Sequence, residues 1–392
     1  MDIKLADRVM RVKPSPTLAI TARAAALKAA GKDIIGLGAG EPDFDTPEHI
    51  KQAAIQAIHD GFTKYTAVDG TAELKQAVIN KFQNENDLSY QASQVLVSCG
   101  GKQSFYNLAQ ALLNPDDEVI IPAPYWVSYP DMVLLADGQP VIIDTTMEQQ
   151  FKITPAQLEA AITPKTRLLV LNSPSNPTGQ TYSKAELAAL GDVLRKHPDV
   201  LIASDDMYEH ILWADEAFSN IVMVCPDLYN RSIVLNGVSK AYSMTGWRIG
   251  YAAGPEPLIK AMKKIQSQST SNPTSIAQVA AQAALEGDQT CIQTMLKTFK
   301  ERHDMLVEDL NNIAGLQCLP SSGTFYAFPK VEGLIDRLDG ISDDLQLAEY
   351  LIEHAGLALV PGSAFGCPGY MRLSYATSTE NLQEAVRRLS SL

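Results

Sequence analysis

At four places along the chain, chemistry-bearing residues directly follow apolar runs of strand length. VLVSCG leads into Gly100-Gly101-Lys102-Gln103, after which a helical pattern begins. Two glycines let the backbone close on an anion, and free N–H groups at a helix start favour a phosphate. The same residues also read as a plain glycine turn into a helix. LLVLNSP opens into Ser175-Asn176-Pro177-Thr178-Gly179, and VLIASDD places Asp205 at a strand end with Tyr208 three residues on. SIVLNGVS ends at Ser239-Lys240, and Arg248 follows eight residues later within MTGWRIGY. Singly these are a turn, a helix cap and a surface lysine, since most lysines are solvated. A lysine leaving an apolar strand between Gly237, Ser239 and Gly246 is a better candidate for a buried reactive amine. The GLGAG run at residues 36–40 is not GxGxxG and no helix starts directly after it, so a dinucleotide-binding reading fails. An amine, an acid, a phenol, an amide and an anion cradle at successive strand ends are the parts that hold a phosphorylated pyridine aldehyde.

The elements that position these residues follow from the apolar pattern. Between about residues 95 and 255 the strand candidates are QVLVSCG, DEVIIPAP, QPVIIDT, TRLLVLNSP, VLIASDD, SIVLNGVS and RIGYAAG, with helical patterns between most of them. Several lack period-2 alternation, as strands buried on both faces do. The expected fold class is α/β: a mostly parallel seven-stranded sheet covered by helices, with a smaller α+β domain. The last two strands lie too close for a helical crossover and are expected to pair antiparallel or irregularly. Residues 17–31 read as a helix with Thr17 as its cap and Gly31 as its stop, and Pro47 sits in the first turn of another. From about residue 290 come a long helix and the short strands TFYAFP, LALVPG and YMRLSYA. The expected division is residues 1–48 as an N-terminal arm and part of the small domain, 49–290 as the large domain, and 291–392 as the rest of the small one.

Composition bounds the partners. Lys+Arg number 32 against 45 Asp+Glu in 392 residues, a net charge of −13, which disfavours nucleic acid and anionic membrane surfaces. No apolar run approaches a membrane span, and the charged N-terminal stretch lacks a signal-peptide core. Five scattered cysteines without a CxxC pair suit reduced thiols, so the expected compartment is the cytoplasm, with no disulfide framework and no metal site.

The segments SPSNPTG, SDDMYEH and GVSKAYSMTGWRIGYAAG resemble the class I aminotransferases, fold-type I enzymes that use pyridoxal 5'-phosphate. GLGAGEPDFDTP, KYTAVDG, PAPYWVSYP and MRLSYATS match in the same order, so the resemblance runs from about residue 11 to the end. It is strongest to the bacterial aspartate aminotransferases, including the aspartate/prephenate group. The resemblance implies ping-pong amino transfer between L-aspartate and 2-oxoglutarate, as an aspartate transaminase. Prephenate amination is the near alternative. Aromatic or other amino acids, or a lyase or synthase on the same fold, lie further off.

The resemblance also assigns roles. Lys240 would form the Schiff base with the cofactor and move the proton at the substrate carbon. Asp205 would pair with the pyridine nitrogen, Tyr208 and Asn176 with the ring's 3' oxygen, and Trp126 would stack on the ring. The phosphate would lie against the backbone of Gly101 and Lys102, Ser239 and Arg248. Tyr65 would reach the phosphate of a second subunit, implying a homodimer. Arg372 would take the substrate α-carboxylate, with Gly40, Asn176 and Trp126 beside it. Lys13 would contact a distal carboxylate; its alternative is a solvated lysine on a mobile arm. Two departures stand out: Gly237 occupies the place of a phosphate-binding serine in some relatives, and Asp206 stands where many have Glu.

Overall fold

The computed structural model describes residues 3–392. After one helical turn at Asp7–Met10, the helix Pro16–Ala29 begins with proline at its first position, where the missing N–H costs nothing. Its cap is Ser15, whose Oγ accepts the Leu18 N–H at 3.4 Å. Thr17, the expected cap, lies within the helix, because the capping hydroxyl must sit on the extended residue just outside it. The short strand β1 (Ile35–Gly36) then breaks into the Gly/Pro loop that precedes the helix Glu48–His59, with Pro47 at the capping position rather than in the first turn.

Seven strands form the central sheet: β2 (Val95–Ser98), β3 (Glu118–Pro122), β4 (Gln139–Ile143), β5 (Thr166–Asn172), β6 (Leu201–Asp205), β7 (Ser232–Gly237) and β8 (Gly250–Ala253). Their order is β2-β8-β7-β6-β5-β3-β4. All neighbours are parallel except those of β8, which runs antiparallel to both β7 and β2. This is the arrangement expected from the short connection before β8.

Alternate residues of each strand enter two separate apolar layers. Val97, Ile120, Leu169, Leu171, Ile202 and Val234 pack to one side, while Leu96, Val119, Ile121, Leu168, Val170, Ile233 and Leu235 pack to the other. With helices on both faces neither set can be polar, which explains the lost alternation. Each fully buried Val, Leu or Ile side chain contributes about 1.5–3 kcal/mol by removal from water.

The helix Thr290–Asn311 turns Met295, Phe299, Leu306 and Leu310 into a further core with β9 (Tyr326–Ala327) and the terminal helix Thr379–Ser390. Three more short runs complete the strands: β10 (Leu357–Ala358), β11 (Val360–Pro361) and β12 (Met371–Ser374), with β11-β12-β9 antiparallel. Ile35 and Leu37 belong to this core, and β1 pairs in parallel with β10. The N-terminal loop is thereby joined to the last third of the chain.

Candidate active site

The carboxyl ends of β2, β5, β6 and β7 open at one edge of the sheet. Because β8 runs the other way, its entrance lies there too, opposite Ser98 and Gly237 in the ladders. A cavity of 420 Å³ lies at this edge, lined among others by Gly40, Gly101, Lys102, Trp126, Asn176, Asp205, Tyr208, Ser239, Lys240, Arg248 and Arg372. Residues up to 357 positions apart, Ser15 and Arg372, therefore meet in one crevice, where ligands of α/β sheets bind.

At the β2 end, Gly100 adopts φ +89° and starts the helix Gly101–Leu112, which no side chain caps. A Cβ at Gly100 would fall 2.4 Å from Arg248 Nη2, so the turn and the guanidinium close on each other only with glycine there. Arg248 is oriented by its Nη1 bond to the Thr245 carbonyl at 2.9 Å. Ser239 is buried at the β7 exit. An uncapped helix start, a hydroxyl and an arginine make an anion site.

Lys240 follows at the cavity wall. Its amine donates to the Gly40 carbonyl and lies 5.9 Å from the centroid of the Tyr208 ring. Burial, then the Arg372 charge, lower its pKa from 10.5 to about 8, against the pull of Glu41. A lysine so placed loses its proton far more readily than a solvated one and can act as a nucleophile or base.

Asp205 ends β6 with Oδ1 accepting the Met207 N–H at 3.2 Å and Oδ2 accepting the Tyr129 hydroxyl. Burial pushes its carboxyl up, while Tyr129, the Met207 N–H and Lys240 hold it down. Asp206 points elsewhere: it is 1% exposed and bonded by Ser204 at 2.7 Å and Asn220 at 2.6 Å. It anchors the turn rather than lining the cavity.

Arg372, on β12, is buried between the rings of Tyr326 at 4.4 Å and Phe365 at 5.0 Å. It donates from Nη1 to Asn176 Oδ1 at 2.9 Å and from Nη2 to the Gly38 carbonyl at 2.8 Å. Its Nε is buried without a partner. Tyr208 shares a 2.8 Å hydrogen bond with Tyr326 through their hydroxyls, and burial raises both phenols.

Two residues singled out in the sequence do not line the cavity. Lys13 is exposed on the arm, with its charge and backbone N–H lowering an Asp131 carboxyl that burial otherwise raises. Tyr65 is 92% exposed. Other residues of the site were not singled out in the sequence. Tyr326, which lines the cavity, and Tyr129 and Phe365, which stand behind it against Asp205 and Arg372, read as ordinary core aromatics. Asn172 is a second: it accepts the Asn176 N–H at 2.8 Å and donates to the Asp205 carbonyl at 3.0 Å, so one amide ties two strand ends. Its position at the very end of a strand aimed at the crevice was the available signal. Glu41, bonded by Thr245 at 2.7 Å, and the arm residues Ser15, Thr17 and Leu18 complete the wall. The Lys102 amine, 5.2 Å from the Trp126 centroid, is held down by partial burial and the Arg248 charge.

The family model for aminotransferase class I and II matches residues 32–389. An aspartate/prephenate aminotransferase of Nitrosomonas europaea is 64% identical over the whole of both chains, and one of Cereibacter sphaeroides is 56% identical over 99% of this chain and 98% of its own. The crystal structure of an aspartate aminotransferase from Rhizobium meliloti superposes with a TM-score of 0.96 at 49% identity, covering 100% of this chain and 98% of that one. A Thermus thermophilus aspartate aminotransferase with maleate gives 0.92 at 43% identity, with both chains fully covered. The chain belongs to the class I and II aminotransferases.

Proposed function

We propose that this enzyme is a pyridoxal 5'-phosphate-dependent aminotransferase of dicarboxylic amino acids, with L-aspartate and 2-oxoglutarate as its substrate pair in a ping-pong cycle. The observation that carries the reading is Arg372: buried, with Nε unpartnered, and lining the same cavity as a lysine whose amine is held at about 8. The residues fit the cofactor. An uncapped glycine cradle closes on Arg248, an acid ends β6 in the cavity, and Lys240 stands between them. When bound, pyridoxal phosphate supplies the aldehyde that accepts the amino group and the ring that makes the substrate α-proton acidic.

The chain's own residues do the rest. Gly101 and Lys102 through their backbone, Ser239 and Arg248 hold the phosphate, and Tyr65 of a second copy completes that set in a homodimer. Trp126 covers the ring face. Asp205, kept charged by Tyr129 and the Met207 N–H, holds a proton at the ring nitrogen. Asn176 and Tyr208 hold the 3' oxygen. Arg372 takes the α-carboxylate through its fork, beside Gly40, and so fixes the Cα–H bond toward Lys240. Lys240 Nζ would act as the general base and acid for the substrate α-proton. Lys102 and Lys13 are cations for a second carboxylate.

Among the described residues no helix is long and apolar enough to cross a membrane, and all five cysteines are free, which supports a cytoplasmic enzyme. L-aspartate added to the loaded enzyme converts the aldehyde absorbance to that of the amine form, and 2-oxoglutarate restores it. No spectral change with any dicarboxylic amino acid overturns the reading. The relatives' shared name favours prephenate as a second acceptor, and turnover with prephenate against oxaloacetate ranks the two.

A further inference from the structure

Residues 62–71 form no helix or strand, yet they carry Tyr65 outward at 92% exposure. Nothing in regular structure sets the direction of that side chain. The segment is instead fastened by side chains from below. Gln278, 0% exposed, accepts the Thr71 N–H at 2.8 Å and donates to Thr66 Oγ1 at 3.0 Å and to the Pro273 carbonyl at 2.9 Å. Gln266, also 0% exposed, donates to the carbonyls of Val68 at 2.7 Å and Val97 at 2.8 Å, and accepts from Asn107 at 2.9 Å. Ser275 donates to the Phe62 carbonyl at 2.7 Å. Gly70, at φ +102°, lets the backbone pass so close to Val97 that a Cβ would fall 2.5 Å from it.

These bonds bracket Tyr65 on both sides, and each of the two glutamine amides uses both of its N–H donors and accepts one bond at its oxygen. A buried amide satisfied in this way holds its partners in one arrangement, because any other leaves polar groups unpaired without water. Gln266 also grips β2 through Val97 and the helix Gly101–Leu112 through Asn107, so the Tyr65 segment is referenced to the anion cradle of its own chain.

We propose that Gln278 is a positioning residue that acts in trans: it fixes Tyr65 in the direction needed to reach the phosphate bound by a second copy of this chain. The proposal rests on the reading of Tyr65 as a cross-subunit phosphate ligand. It gives Gln278 no role in the site of its own chain.

Hybrid dimers made from two differently tagged chains test it. In the first hybrid a Lys240→Ala chain is paired with a Gln278→Met chain. The lysine-bearing site then belongs to the Gln278→Met chain and receives Tyr65 from a chain with Gln278 intact. In the second, both substitutions sit in one chain and the other is unsubstituted, so the lysine-bearing site takes Tyr65 from the chain lacking Gln278. The readout is affinity for pyridoxal phosphate, followed by the absorbance of the lysine-bound cofactor, which only a site with Lys240 gives. The second hybrid is expected to bind about three- to tenfold more weakly than the first, the range for losing buried neutral hydrogen bonds. Equal affinities, or weaker binding in the first hybrid, overturn the proposal and make Gln278 a local structural residue. Tyr65→Phe in the same two arrangements separates the readings. If it acts in trans and Gln278→Met does not, only the positioning role fails; if Tyr65→Phe has no effect in trans, both fail. Should Gln278→Met not fold, Thr66→Val removes one partner hydroxyl and is expected to act in the same direction with a smaller effect.

Discussion

Asn176 and Arg372, 196 positions apart, meet through a 2.9 Å hydrogen bond from Nη1 to the amide oxygen. The backbone of Asn176 is itself held by Asn172, so the loop after β5 determines where the guanidinium points. Asn176→Ala is expected to leave Arg372 free to turn between its two rings. A hydrogen bond to a charged group contributes about 1.5–3 kcal/mol, so the second-order rate with amino acid should fall roughly ten- to hundredfold. Steady-state kinetics check this, with cofactor affinity falling less than substrate affinity.

Lys240→Ala removes the amine proposed to carry the α-proton. Cofactor should remain bound through the cradle and Arg248, while turnover falls roughly 10²–10⁴-fold, the usual worth of a positioned acid–base group. Absorbance of the dialysed variant and a coupled assay report the two separately. Near-normal turnover would refute the assignment.

The depressed Lys240 pKa has a pH signature. In the cofactor-free protein the amine is charged below about 8, whereas in the unfolded chain it stays charged to 10.5. Between those values the unfolded state binds more protons, so this group makes stability rise with pH, and its charge in the cavity is a cost at lower pH. Lys240→Met is therefore expected to stabilise the cofactor-free protein most at pH 7, with the gain shrinking from pH 8 towards 10.5. Denaturation midpoints across that range measure it. The rate of covalent reconstitution by added pyridoxal phosphate should rise with pH around 8 in the unsubstituted protein.

Tyr129→Phe deletes the hydroxyl that donates to Asp205 Oδ2. Burial already raises that carboxyl, and losing a donor raises it further. A less charged Asp205 holds the ring-nitrogen proton less well, so kcat should fall about ten- to hundredfold with KM little changed. Nitrogen-15 NMR of ring-labelled cofactor shows whether the ring has lost its proton; an unchanged resonance would count against the role of Tyr129.

Gly237→Ser probes the place where some relatives carry a phosphate-binding serine. A Cβ here would lie 3.0 Å from Gly250 Cα and 3.0 Å from the Ile249 carbonyl. The β7–β8 pair must shift to admit it, a cost of about 1–3 kcal/mol for overpacking. Thermal unfolding of the cofactor-free variant should show the loss, with no compensating gain in cofactor affinity.

The sheet was legible because its strands are short, apolar and punctuated by Gly, Pro, Asn and Asp, and because seven such runs admit few arrangements. Even the reversal of β8 follows from the short link after Lys240. The residues that stand at strand exits, Asp205, Asn176, Ser239 and Lys240, were legible for the same reason. Their supports were not. Tyr326 and Phe365 clamp Arg372 from segments whose pattern is that of any buried strand or turn, and only the fold reveals that the guanidinium they hold borders a cavity. Thr17 illustrates a smaller limit: two hydroxyls flank Pro16, and which one caps depends on the backbone turn that proline fixes. Lys13 and Tyr65 were read through resemblance, and the partners it implies for them, a substrate carboxylate and the phosphate of a second chain, are not displayed by a single subunit.

The reversed strand β8 separates retention from selection. The groups that grip an anion leave β2, β7 and the entrance of β8, three adjacent strands at one side of the sheet. The groups proposed to meet the ring and the substrate come from β6, β5, the loop after β3 and the distant β12. A lineage of such enzymes can therefore change what it deaminates by altering the second set, while the first continues to keep the cofactor in place.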